Sequence, residues 1–201
     1  MIAILVDETC EKIGRKLEAD LQERGKETAY ISTAGLTIKT CYSCGYCTTK
    51  EYGKCCQKDD MEPILRILVK SETMVVVTPI TFGSYSSVVK AVIDRTCVIG
   101  DTHYHVAHGE MVKGMRSDLK YQYVVGVKQD CSEKEEEYFR KLVSENIKIM
   151  DISGETFIIQ SNKEIMTNRE VMVVEEAMSD GEIDSAADNV MGKAVEVICH
   201  A

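Results

Sequence analysis

Five of the nine cysteines in this 201-residue chain fall between Thr40 and Asp60, in TCYSCGYCTTKEYGKCCQKDD. They are Cys41, Cys44, Cys47, Cys55 and Cys56, spaced C-x2-C-x2-C-x7-C-C, with Gly45 and Gly53 inside the stretch and two aspartates closing it. Three thiols at every third residue converge on one centre if the backbone wraps around it as a loop. A fourth from a few residues downstream completes a four-thiolate set. A [4Fe–4S] cluster takes such a set, with one cysteine sulfur per iron. Zinc also accepts four thiolates, although its common spacing is two separated C-x2-C pairs. A cysteine-rich turn with free thiols is the remaining reading.

Two other groups carry chemistry-bearing side chains. His103, His105 and His108 form H-x-H-x2-H in a loop-like stretch. Imidazoles at this spacing bind zinc or copper when a further ligand is supplied, but the spacing fixes no carboxylate or thiol partner, and an exposed polar loop explains the same residues. Cys10 opens a helix, where the N-terminus favours a thiolate and the neighbouring acids oppose it. Cys97, Cys131 and Cys199 are scattered and read as core or surface residues.

The composition bounds what these residues can serve. The chain is long enough for one compact domain with a sizeable core, and 44% of it is hydrophobic. With three Phe and no Trp, that core is aliphatic. A formal net charge of −9 argues against binding nucleic acid through its phosphates. The opening MIAILVDETC is too short an apolar run for a signal peptide or membrane span. Nine cysteines without such a segment point to a reducing, cytoplasmic setting.

The elements that must position the cysteines follow from apolar patterning. Ile2–Val6 reads as a strand buried on both faces. Glu11–Arg24 has helical spacing through Ile13, Leu17 and Leu21, and Gly25 ends it. Further strands are expected at Glu27–Ser32, Met74–Val77, Tyr121–Val127 and Thr156–Gln160. Further helices are expected at Met61–Val69, Ser86–Asp94, Ser132–Ile149 and Ala186–Cys199. Asp59 or Asp60 caps the Met61 helix, and its first turn tolerates Pro63. Alternating strands and helices imply right-handed βαβ units and a parallel sheet. The expected architecture is a single α/β domain over 1–201, a flavodoxin-like doubly wound five-stranded sheet of order 2-1-3-4-5 in three α/β/α layers. Ligands bind in such folds beyond the carboxyl ends of the strands, and the cysteine loop, following the second strand, is expected at that edge. Residues 162–184 fall outside this scheme, and EVMVVEEAM within them reads as a strand, a helix turn or an oligomerisation arm.

The segment from Cys41 to Arg95 carries a resemblance. CYSCGYC, GKC ahead of DD, and TPITFGSYSSVVKAVIDR resemble the NAD(P)H-dependent FMN reductases and their relatives, the iron–sulfur flavoproteins. The resemblance implies an FMN-dependent oxidoreductase, with NAD(P)H or a reduced carrier as donor and a small-molecule or protein redox partner. It implies a homodimer or homotetramer. Thr78, Pro79, Ile80, Thr81, Phe82, Gly83, Ser84 and Tyr85 match the loop that covers one edge of the flavin ring. Cys41, Cys44, Cys47 and Cys55 match the ligands of a [4Fe–4S] cluster, which leaves Cys56 as a spare thiol. Lys90, Asp94 and Arg95 match a K…DR pattern, read as a helix-surface ion network. Thr81 replaces an aromatic residue usual in the family. At the phosphate loop only Thr9, the helix N-terminal amides, Lys12 and Arg15 favour an anion, whereas Asp7, Glu8 and Glu11 oppose one. That departure keeps a second reading open: a flavodoxin-fold protein that has lost FMN and acts as a binding module.

Overall fold

The computed structural model describes residues 1–107, 109–160 and 185–201. Its centre is a five-stranded sheet of β1 (Ile2–Val6), β2 (Thr28–Ser32), β3 (Thr73–Pro79), β6 (Tyr121–Lys128) and β7 (Ser153–Gln160). The strands pair in parallel in the order β2-β1-β3-β6-β7. Numbered among themselves, that is 2-1-3-4-5, as the sequence implies.

Side-chain alternation divides the core into two layers. Ile4 and Val6 of β1 point with Val75, Val77 and Val125 toward α1 (Glu11–Glu23) and α6 (Ser185–His200). Ala3 and Leu5 point with Met74, Val76 and Val124 to the other face, covered by α3 (Met61–Val69), α4 (Ser87–Arg95) and α5 (Glu133–Ile149). Both faces of each central strand are therefore apolar, which explains the unbroken hydrophobic runs IAILV and MVVV. Gly14 lets α1 lie close on β1, since a Cβ there would stand 2.6 Å from Val6 and 2.8 Å from the Tyr30 hydroxyl.

The expected helix at Met61–Val69 has those bounds. Its cap is divided between the two aspartates: Asp60 holds the N-cap position without a capping bond, and Asp59 accepts from the Met61 amide at 3.2 Å. Ser132 and Glu135 close a capping box at the start of α5. Two features were not legible in the sequence. One is the antiparallel hairpin β4 (His105–Ala107) and β5 (Glu110–Val112). The other is the single-turn α2 (Tyr46–Thr49) inside the cysteine stretch. The expected arm at 162–184 lies outside the described residues. No helix among the described residues is long and apolar enough to cross a membrane.

Candidate functional site

The cysteine stretch is a loop with a tied neck. The Thr37 amide donates to Asp60 at 2.7 Å and the Lys39 amide to Asp59 at 2.8 Å. Gln57 donates to the Thr40 carbonyl at 2.9 Å. Asp59 also pairs with Arg95, and both side chains are 2% exposed. Arg95 further donates to the Lys39 carbonyl at 3.2 Å. These bonds correct one expectation. Lys90 and Asp94 do pair on the α4 surface, but Arg95 turns into the core to hold the loop.

Beyond the neck, left-handed backbone at Ser43 (φ 54°), Gly45 (φ 69°) and Gly53 (φ 72°) bends the chain around a cavity of about 520 Å³. Six thiols line it: Cys41, Cys44, Cys47, Cys55, Cys56 and Cys97. Cys97 is the residue that sequence reasoning missed. It lies some fifty residues from the others, and only the packing of the loop on the end of α4 brings it beside Cys47 and Cys41. Burial first, and then those two neighbours, push its thiol up to about 12. The Cys44 thiol is lowered, by the Tyr46 amide first and the Cys56 sulfur second. Arg95 stands against Cys55, and its buried Nε has no partner among the described residues.

The donor set suits a thiolate-bound cluster: soft sulfur in number, a cavity, and beside Cys55 an arginine whose buried Nε has no partner among the described residues. The thiols are not pre-gathered, and among the described residues no three His, Cys, Asp or Glu side chains stand at metal-holding geometry. The histidine motif does not converge. His105 Nε2 faces Asp151 at 3.1 Å, His103 bonds Thr102 at 3.0 Å, and His108 lies outside the described residues.

The other candidate loop begins at the opposite end of α4. Ile80 donates to the Val127 carbonyl at 2.9 Å, prolonging β3. Thr81 and Ser84 then exchange backbone bonds at 2.9 and 3.0 Å around Phe82 (φ 51°) and Gly83 (φ 71°). Two central residues at positive φ make a type I′ turn, whose first position suits Asn or Gly rather than Phe. Phe82 nonetheless occupies it, 92% exposed. Among the described residues the Phe82 and Gly83 amides donate to nothing. Thr78 is buried and accepts from the Ser86 amide at 3.1 Å, fixing the loop's return into α4. Tyr85 belongs to the core: it meets Phe139 edge-on at 5.5 Å and its hydroxyl accepts from Asn146 at 3.2 Å. Burial pushes that hydroxyl up to about 12.

At the phosphate end, Asp7 is buried and accepts from both the amide and the hydroxyl of Thr9. The Glu8 amide donates to Thr33 at 2.9 Å. Thr9 and the first amides are therefore already engaged, while Lys12 stands exposed on α1. Cys10 is buried, and burial with the Asp7 charge pushes its thiol up to about 12, so it is no nucleophile. The ring end thus fits a flavin edge. The phosphate end, with Asp7 in place, does not offer a free cradle.

A five-stranded doubly wound sheet with a candidate ligand loop at the β3–α4 turn defines the flavodoxin-like class. Within that class, the profile of the NADPH-dependent FMN reductase family matches residues 6–161, and the chain belongs to that family. Similar curated proteins include an iron–sulfur flavoprotein of Archaeoglobus fulgidus, 33% identical over 45% of this chain and 46% of its own length. Another is an iron–sulfur flavoprotein of Methanocaldococcus jannaschii, 35% identical over 37% of each chain. The matched stretch is less than half the length of these relatives. Among solved structures, an NAD(P)H:quinone oxidoreductase from Methanothermobacter marburgensis superposes with TM-score 0.64 at 11% identity, covering 98% of this chain and 96% of that one. A structure described as a putative quinone reductase from Klebsiella pneumoniae gives 0.63 at 11%, covering 99% and 84%. At that identity they show a common fold.

Proposed function

We propose that this chain is an FMN-dependent oxidoreductase that takes electrons from NAD(P)H or a reduced carrier and passes them to a small-molecule or protein acceptor. We further propose that Cys41, Cys44, Cys47 and Cys55 hold a [4Fe–4S] cluster. The observation that carries this reading is that six thiols line one cavity in a chain of a flavin reductase family. When bound, the flavin supplies hydride chemistry and the cluster one-electron transfer.

The chain's own residues bind and position. Phe82 covers a face of the ring and excludes water from it. The amides of Phe82 and Gly83 and the Ser84 hydroxyl meet its polar edge, while Thr78, Pro79, Ile80, Thr81 and Tyr85 hold the turn in place. Thr9 and Lys12 receive the phosphate once Asp7 gives up its bonds to Thr9. The four cysteines ligate, and Arg95 offsets their negative charge beside Cys55. Tyr104, Val106 and Met111, exposed on and beside the β4–β5 hairpin, support assembly as a homo-oligomer.

A second reading rests on one feature: the occupied amides at Asp7–Thr9 favour a fold that has lost FMN and serves as a binding module. A visible spectrum with iron, sulfide and flavin analysis of anaerobically purified protein decides between them. Flavin bands with about four irons and four sulfides per chain are expected; protein colourless and free of iron under those conditions would leave the binding module.

A further inference from the structure

Cys56 is the thiol that the cluster reading does not use, and its surroundings are specific. Its sulfur lies 3.6 Å from that of Cys44, a proposed ligand. The Tyr42 hydroxyl stands 2.9 Å from the same sulfur and holds it there. Left-handed backbone at Ser43 (φ 54°) and Gly45 (φ 69°) flanks Cys44 and turns it outward, where it is exposed. A disulfide needs the sulfurs about 2.0 Å apart, so a shift of about 1.6 Å in this loop closes the bond. The tied neck at Asp59 and Asp60 lies outside the segment that must move.

We propose that Cys44 and Cys56 are a dithiol that low-molecular-weight disulfides oxidise to an intramolecular disulfide, removing Cys44 from the set that holds the cluster. The second half of this statement rests on the cluster reading above; the first does not. The exchange proceeds in two displacements. The Cys44 thiolate attacks one sulfur of the small disulfide RSSR and expels RS⁻, leaving Cys44 joined to SR. The Cys56 thiolate then attacks the Cys44 sulfur and expels the second RS⁻. The two cysteines lose two electrons and two protons in all, and RSSR becomes two RSH. A small thiol in excess reverses both steps.

The other thiol neighbours do not compete on equal terms. Cys97 is largely shielded against the end of α4 beside Cys47 and Cys41, whereas Cys44 faces solvent where a small disulfide can reach it. Cys55, adjacent to Cys56 in sequence, is turned toward Arg95.

The test uses the whole chain, stripped of metal by a chelator and reduced, then exposed to hydroxyethyl disulfide. The free-thiol count should fall by two from the nine in the sequence. Peptide mapping should join the Cys44 peptide to Cys56. Cys56→Ser should abolish that link and Cys55→Ser should keep it; both side chains sit in the loop outside the sheet. An unchanged thiol count, or a link that instead survives in Cys56→Ser and vanishes in Cys55→Ser or Cys97→Ser, overturns the proposal. Iron and sulfide are then offered to each form. The oxidised wild type should take up at least tenfold less iron than the reduced form, and dithiothreitol should restore uptake. A mapped Cys44–Cys56 link in a chain that binds no iron even when reduced would refute the cluster reading and leave the dithiol standing. Full iron uptake by the linked form would overturn the proposed competition.

Discussion

Arg95 and Asp59 form a buried ion pair that joins the last turn of α4 to the neck of the cysteine loop. Each side chain is 2% exposed. Asp59 spends its other contacts on the loop itself, through the Lys39 and Met61 amides. Burial alone would raise the Asp59 carboxyl. The Arg95 hydrogen bond and the two amides outweigh it and hold the carboxyl below its ordinary range.

The first prediction concerns this pair. Removing one partner leaves the other buried and uncompensated, which costs about 3–5 kcal/mol. Asp59→Ala and Arg95→Ala should each lower the thermal midpoint by many degrees, and Asp59→Asn should do so less because it keeps two acceptor bonds. The pH dependence has a fixed sign. A carboxyl lowered in the folded chain stabilises it above the unfolded value, about 3.9, and that stability is lost as pH falls through the lower folded value. Wild type should therefore lose stability below about pH 4, and Asp59→Asn should have a flatter acid limb. Parallel acid limbs in the two proteins would mean that the pair is not the source.

The second prediction separates stability from ligand binding at Phe82. A non-glycine residue at positive φ costs roughly 1–2 kcal/mol, and asparagine suits the first position of a type I′ turn. Phe82→Asn should stabilise the protein by about 0.5–1 kcal/mol. It should also weaken FMN binding at least tenfold, because the aromatic face is gone. Thermal denaturation and flavin fluorescence titration read the two effects independently. A variant more stable and equally good at binding flavin would remove Phe82 from the site.

Tyr85 was expected at the flavin edge, and the structure puts its ring against Phe139 in the core. Tyr85→Phe should cost about 1 kcal/mol through the Asn146 amide left without its acceptor. Flavin affinity should stay within a factor of two, read in the same titration. A larger loss of affinity with unchanged stability would return the hydroxyl to the site.

The sheet order was legible because apolar strands alternate with striped helices, which implies right-handed βαβ units and a doubly wound sheet. Met61–Val69 was read to its bounds for the same reason. The β4–β5 hairpin was not, since His105, Val106, Glu110 and Met111 are exposed and carry no inside-outside pattern. Around the cysteines, spacing marked five of the six thiols and missed Cys97, whose approach depends on the Arg95–Asp59 tie rather than on any local motif. Asp94-Arg95 reads in sequence as the polar end of an amphipathic helix, and nothing local distinguishes the buried Arg95 from the exposed Asp94.

The phosphate loop gives a third test of the flavin site. Asp7 engages the two Thr9 donors that an anion would use. Asp7→Ser keeps a capping oxygen, removes the charge and frees one donor. FMN should bind about tenfold tighter, equivalent to about 1.4 kcal/mol, while riboflavin, which lacks the phosphate, should bind unchanged. Equal gains for both ligands, or none for either, would place the phosphate elsewhere.

The last prediction asks which four of the six thiols bind iron. Cys41, Cys44, Cys47 and Cys55 are the proposed ligands, and Cys97 rivals Cys55 for the fourth place because it lies beside Cys47 and Cys41. Cys55 has the better surroundings: Arg95 stands against it with a buried Nε that has no partner among the described residues, and a hydrogen bond to a ligating sulfur stabilises the thiolate. Single serine variants of the six, reconstituted without air, should divide into two groups. Four should lose most of their iron and sulfide, whereas Cys56→Ser and Cys97→Ser should retain nearly all. Arg95→Gln should still bind iron but with a lower reduction potential, since the donor to the Cys55 sulfur is missing. If Cys97→Ser loses iron and Cys55→Ser keeps it, the fourth ligand comes from the end of α4, and Arg95 serves the fold alone.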